Sequence, residues 1–259
     1  RHNNEISAIS GPFGSDGAYA APTQRMTRTT TQKGKPTMYN VELGYTHRWS
    51  DTHFLDFSVG HHQWQQQRNA EYRQTTEFFG TDTTTMSSYQ FQDGLNKSNN
   101  TEIKLDYEYK INDNHRIEAG YKGDFSDDRS PVITYTDEEH TQLDKNLYNQ
   151  FRYKQNTQAL YATYSGRLGK FGYQLGLRGE YWNVKTQSYG YEQEQSGQIP
   201  GYTSKDFFKL FPSAFISYEI SDGHEIQANY TRRLRRPWGG QLNNFHNISD
   251  STNISFGNP

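Results

Sequence analysis

The densest charge in this chain is the run Arg232-Arg233-Leu234-Arg235-Arg236. Guanidinium groups so close together repel one another and draw in phosphate or carboxylate. An anionic ligand, lipid phosphates or acidic neighbours on adjacent elements would each satisfy them. Nucleic acid is the weakest candidate, because the chain as a whole carries a formal charge of -2, whereas nucleic-acid binders usually hold a large positive excess. A second group is Lys104, Asp106 and Glu108 with Arg178 and Glu180, charged residues at alternate positions of two segments. A third is His61-His62, which offers imidazoles for a metal. Neighbours on an extended strand point to opposite faces, so the pair reads as a strand end entering a loop. Glu138-Glu139-His140 sits in a polar stretch and could hold a calcium or zinc ion, but it has no recognised ligand spacing. No Ser-His-Asp set, paired-carboxylate motif, phosphate loop or redox pair is discernible. Cysteine is absent, which removes thiolate chemistry and disulfides. The sequence therefore points away from an enzyme and requires no cofactor. Asn-x-Ser/Thr triplets such as Asn247-Ile248-Ser249 read as chance matches.

The elements that carry these residues alternate apolar and polar side chains. Tyr39, Val41, Leu43 and Tyr45 interleave with Asn40, Glu42, Gly44 and Thr46. Ile103, Leu105, Tyr107 and Tyr109 interleave with Glu102, Lys104, Asp106 and Glu108, and Tyr173, Leu175, Leu177 and Tyr181 with Gln174, Gly176, Arg178 and Glu180. A period of two is the mark of a strand with one wet and one dry side. Four short turns, at Trp49–His53, Ile111–His115, Leu168–Gly172 and Ile220–His224, join these segments in pairs. The pairs are joined to one another by long polar stretches, at about 64–100, 124–156 and 186–206, and a fourth, at about 235–259, follows the last pair.

Composition narrows what such strands can build. Hydrophobic residues are 31% of the chain and mean hydropathy is -1.08, too little grease for a soluble core. Aromatics are 15%, with 20 Tyr, too many for a disordered chain. A membrane wall reconciles the two, since only one face of each strand meets lipid. Short turns at one end and long loops at the other belong to the same architecture. The expected fold is all-β: an antiparallel transmembrane β-barrel wall of about 8–10 meandering strands, incomplete as a barrel. Residues 1–38 read as a loop leading into the first strand and 39–259 as the partial barrel domain. No signal peptide is visible, and the chain reads as a fragment. By strand parity, Arg233 should face the lumen and Arg232 outward, so the arginine run should mark the outer interface, near lipopolysaccharide.

In order along the last third stand Gly176-Leu177-Arg178-Gly179-Glu180, Leu210-Phe211-Pro212-Ser213, Tyr230-Thr231-Arg232-Arg233 with Arg236-Pro237, Leu242-Asn243 with Phe245, and Gly257-Asn258-Pro259. This series resembles the β-barrel of the TonB-dependent receptor-like outer-membrane proteins of Bacteroidetes. Asn244 stands where that family usually has proline, and Trp238-Gly239-Gly240 replaces a more polar-aromatic stretch. The resemblance implies a 22-strand barrel around an N-terminal plug and residence in the outer membrane of a Gram-negative bacterium. It also implies energy coupled from the inner membrane by a TonB-type protein, with a surface lipoprotein as a further partner. The ligand would bind at the extracellular loops for nutrient uptake. Tyr189, Tyr191 and Tyr202 would stack on it, and Arg233, Arg178 and Glu180 would contact it or the plug. The alternative is a complete small outer-membrane barrel acting as an adhesin or structural protein.

Overall fold

The computed structural model describes residues 2–11, 22–80, 82–234, 236–237, 239–243, 247–250, 253–255 and 257. Its strands are β1 (His2–Ser10), β2 (Gln24–Ser50), β3 (His53–Phe78), β4 (Thr84–Asn112), β5 (His115–Arg129), β6 (Ile133–Tyr135), β7 (Gln150–Leu168), β8 (Phe171–Tyr189), β9 (Thr203–Ser221), β10 (His224–Thr231), β11 (Asn247–Asp250) and β12 (Asn253–Ser255). Helical pieces are short: a 3-10 turn at Lys145–Leu147, α1 (Tyr191–Gln195) and α2 (Gly239–Leu242). The main sheet runs β1-β2-β3-β4-β5-β7-β8-β9-β10, antiparallel throughout, with β6 added to β4. β11 and β12 form a separate pair. The fold is an all-β antiparallel meander, as the alternation and turn spacing require. Among the described residues the sheet is open, with no pairing between its first and last strands.

The four short turns lie where the sequence places them, between β2 and β3, β4 and β5, β7 and β8, and β9 and β10. Two of them use glycine at positive φ, Gly169 at 58° and Gly223 at 78°, a conformation that costs other residues free energy. The segments expected as loops differ. Residues 1–38 contain β1 and the first part of β2, paired from His2↔Gln32 to Ser10↔Gln24. The stretch 64–100 is almost wholly strand, with β3 and β4 paired out to Phe78↔Thr84. Both stretches escaped the alternation test for one reason: above the membrane both faces of a strand are wet, so no apolar period is needed. Within the stretches 124–156 and 186–206, residues 130–149 and 190–202 form the connections between β5 and β7 and between β8 and β9.

The apolar stripe forms one continuous band. Directly paired residues share a face, and the rows Leu43↔Val59↔Ile103, Leu105↔Tyr121↔Leu160 and Leu175↔Ala214↔Tyr230 cross from strand to strand. This band is the exposed face: Leu43 is 67% exposed, Leu160 68%, Leu177 53% and Tyr230 60%. The polar face is the sheltered one, with Glu180 at 9% and Ala159 at 1%. Grease outside and charge inside is the reverse of a soluble protein, and it is stable only where the outside is lipid. On β8 the band runs from Phe171 to Tyr181. Ten steps of about 3.3 Å, tilted near 45°, make it about 23 Å tall. At its short-turn edge Trp49 stacks on His53 at 5.1 Å, His53 meets Tyr109 edge-on, and His115 lies flat on Tyr164. This is an aromatic girdle at headgroup level.

The inner face is held by polar ties along and across the strands. Lys104 pairs with Asp106 at 2.6 Å, Lys122 with Glu102 at 2.6 Å and Arg116 with Glu118 at 3.1 Å. Tyr161 lies across Gly120 and hydrogen-bonds Asp106. A Cβ on Gly120 would stand 2.6 Å from both the Leu105 carbonyl oxygen and the Tyr161 ring. Gly120→Val is therefore expected to expel Tyr161 and cost about 1–3 kcal/mol, as overpacking does. Urea midpoints of the full-length protein in lipid vesicles, wild type against variant, measure it.

The 130–149 connection folds down against β3 and β4. Thr134 within it is fully buried, and the Asp137 carboxylate accepts from the Thr141 and Gln142 backbone amides. Arg73 pairs with Glu138, and His140 stacks on Phe91 at 3.9 Å. Glu138 and His140, weighed above as cation ligands, are thus engaged elsewhere. The Arg73 hydrogen bond holds the Glu138 carboxyl below its ordinary range. The tie is therefore complete above the ordinary carboxylate pKa of about 4.3 and is lost only as pH falls through the lower folded value. Amide exchange of 133–143, corrected for intrinsic rates, should be unchanged from about pH 7 to about pH 5. It should match the Glu138→Gln variant only in stronger acid.

Candidate functional site: the inner wall and its strap

The inner wall changes character above the lipid band. Phe151 and Tyr153 from β7 and Trp182 and Val184 from β8 form a buried apolar cluster on the sheltered face. β10 does not continue upward beside it. Within a strand the N–H and C=O of one residue point to the same neighbour. The Pro212 carbonyl accepts from Arg232 N–H at 3.4 Å, so the proton proline lacks would have faced β10. The ladder ends there, at the pair Thr231↔Ser213, as expected beside a proline.

Beyond Thr231 the chain turns onto the inner face as a strap. Arg236 pairs with Glu180 and lies over the Trp182 ring at 5.5 Å. Gly239 rests on Tyr153, where a Cβ would come within 3.1 Å of the ring. Leu242 packs on the apolar cluster, and Gly257 N–H donates to the Asn243 carbonyl at 2.6 Å. Glu180 binds two cations at once: its other oxygen accepts from Arg178 Nε at 2.5 Å, and Arg178 lies over Tyr161 at 5.5 Å.

Several cavities result among the described residues, and two of them hold charged or unpaired groups. One is a cleft of about 300 Å³ lined by Arg178, Glu180, Phe211, Arg232, Arg233 and Arg236. The other is a chamber of about 370 Å³ between strap and wall, lined by Trp64, Ser98, Asp128, Phe151, Tyr153 and Gly239. Trp64↔Ser98↔Asp128↔Tyr153 is one cross-strand row. One Asp128 carboxylate oxygen takes a hydrogen bond from Ser98, and burial holds the carboxyl above its ordinary range. The other oxygen is buried without a partner among the described residues. Burial also pushes the Tyr153 phenol up to about 12, so it stays neutral. A buried acceptor beside aromatic rings is suited to a ligand that brings a donor and an apolar face.

The expected site residues are partly brought together. Arg178, Glu180, Arg232, Arg233 and Arg236 meet at the cleft. Arg232 and Arg233 lie past the end of β10 and both line the inner cleft: Arg233 is on the side its parity gives, whereas Arg232 is not at the outer interface. Pro237 lies in the strap, half-buried. The tyrosines do not converge. Tyr191 sits on α1, edge-on to Tyr148 at 5.7 Å, Tyr202 lies under Lys154 at 5.1 Å, and Tyr189 ends β8. Gly176 faces Ser213 across the ladder, and Leu177, Pro212 and Tyr230 belong to the outer band. Asn258 and Pro259, with Phe245, lie outside the described residues. Trp64, Asp128, Phe151 and Tyr153 were missed. Extending the parity of β3, β5 and β7 through positions 64, 128 and 151–153 would have placed them on the inner face.

Residues 47–259 match the family described as the outer membrane protein beta-barrel family. Among solved structures, the chain is similar to the unliganded ferric citrate transporter FecA, with 11% identity over 88% of this chain and 40% of that one and a TM-score of 0.40. It is similar also to the ferric yersiniabactin uptake receptor FyuA from Yersinia pestis, with 11% identity over 85% of this chain and 42% of that one and a TM-score of 0.43. The chain thus spans about two fifths of the length of these structures. A search of curated proteins finds no match. The apolar band, the short and long turns and the family match agree: this chain belongs to the outer membrane protein beta-barrel family and resides in the cell outer membrane.

Proposed function

We propose that the chain forms part of the wall of an outer-membrane receptor of the TonB-dependent type, which binds a nutrient from outside and passes it through the lumen. The observation that carries this reading is the inner wall. It is polar and ion-paired at membrane level, and from the top of the band upward it holds cavities and a strap rather than a packed interior. A small barrel of about eight strands fills its interior with side chains, whereas a wide one leaves a lumen that other segments occupy. The open sheet supports the wide barrel. β10, and β2 where it crosses the lipid band, each present one unpaired edge, which a bilayer does not tolerate, so further wall must meet them in the whole protein. A plug, the energy-coupling protein and a surface lipoprotein are the partners this reading requires. Its chemistry is binding and passage, with no covalent step.

The test compares cells with and without the full-length protein, measuring which compounds disappear from a defined growth medium. Loss of depletion of one nutrient on deletion, reproduced by a protonophore, is the expected result. Unchanged uptake with lost surface attachment would establish the adhesin alternative instead.

A further inference from the structure

The outer face changes sign just above the lipid band. On β5 the last apolar residue of that face is Phe125, followed at alternate positions by Asp127 and Arg129; on β8 it is Tyr181, followed by Asn183 and Lys185. Two adjacent cross-strand rows lie at this level. The upper is Lys97↔Arg129↔Arg152 and the lower is Asp127↔Lys154↔Lys185. These side chains point outward. Along β7 the odd positions 151, 153, 157 and 159 are buried while Arg152 and Lys154 are not, and on β8 Lys185 is exposed between Val184 and Thr186.

Five cations therefore stand together around one carboxylate. Asp127 is committed to Arg152 through Nε at 2.8 Å and a second bond from the same guanidinium, and Arg129 approaches it only to 4.0 Å. Like charges directly opposite one another on neighbouring strands are destabilising. Here Lys97 opposes Arg129, Arg129 opposes Arg152, and Lys154 opposes Lys185. An arrangement that costs the isolated chain free energy is stable where an anion is supplied. At the top of the lipid band, on the side of the long connections, the groups present are those of the outer leaflet.

We propose that Lys97, Arg129, Arg152, Lys154 and Lys185 form a site for the phosphate groups of lipopolysaccharide, gripping the lipid A headgroup against the wall between β4 and β8. Arg129, Lys154 and Lys185 supply the charge, Lys154 from over the Tyr202 ring, while Arg152, fixed by Asp127 and Tyr202, presents its remaining donors in a set direction. This site is on the lipid side of the wall, so it stands or falls apart from the ligand cavities within.

Full-length protein, stripped of lipid in detergent, is titrated with diphosphoryl lipid A and followed by native mass spectrometry. The Arg129→Gln, Lys154→Gln, Lys185→Gln triple variant should bind about tenfold more weakly, the loss expected for several charge-assisted contacts. Lys122→Gln, which removes a cation from the inner face, should bind as wild type does. The triple variant relieves the cross-strand repulsion, so without lipid A it should unfold at the same or higher urea concentration. Inorganic phosphate at matched phosphate concentration should not displace lipid A. The proposal is overturned if the triple variant retains wild-type affinity, if Lys122→Gln loses as much, or if inorganic phosphate competes as well as lipid A. It is also overturned if the triple variant is less stable than wild type without lipid.

Discussion

Glu180→Ala is expected to free the strap from the inner wall. The carboxylate is the shared partner of Arg178 and Arg236, and its side chain is only 11% exposed. Removing it leaves two guanidinium groups facing each other over Trp182 and Tyr161, each with its counter-charge gone. Breaking a fully buried pair costs about 3–5 kcal/mol. Both arginines here reach some water, so about 2–3 kcal/mol is expected, concentrated in the strap. Hydrogen exchange of 236–243 in the full-length protein should accelerate by at least tenfold, while that of β7 and β8 stays slow. Adding Arg236→Ala to Glu180→Ala should recover part of the wall's lost stability, because the uncompensated cation is then gone. If exchange in the strap does not change, the Arg178–Glu180–Arg236 relay is not what holds it.

The second large effect belongs to the outer face. Leu177 lies near the middle of the band and is 53% exposed. Leu177→Arg should lower folding stability in vesicles by about 2–4 kcal/mol, the cost of a cation at the bilayer midplane. Asn183→Arg, six residues further along the same face and past the top of the band, should cost at most about 1 kcal/mol. Gln174→Arg, on the sheltered face of the same strand, should likewise be mild. Equal losses at Leu177 and Gln174 would mean that the face taken as lipid-exposed is not.

Legibility of this fold in the sequence followed water. Where one face of a strand meets lipid and the other the lumen, apolar and polar residues must alternate, and β4, β5, β8 and β9 could be read from that alone. Where both faces are wet the constraint vanishes. Arg25 to Lys35 of β2 and Gln65 to Thr76 of β3 are strands with no period to betray them, and they were taken for loops. The strap was illegible for a different reason. Arg232 and Arg233 were assigned by continuing the parity of β10, but Pro212 on the neighbouring strand stops the ladder first. The effect of that proline is felt across the sheet, by a residue nearly twenty positions away. Glu180 and Arg178 were placed correctly on the inner face by parity. That Arg236 would arrive beside them depends on the turn after Thr231, which no local pattern announces.

The unbroken run of β3 and β4 from the short-turn girdle to the pair Phe78↔Thr84 has a consequence for what meets the cell from outside. From the top of the apolar band near Gln63 to Phe78 the ladder rises about 35 Å, taking about 3.3 Å per residue at a 45° tilt. An antibody or a phage touches that tip long before it reaches lipid. The tip contributes nothing to the membrane seal. Its residues are free to change under such pressure, or to carry an inserted epitope, while the part embedded below stays as it is.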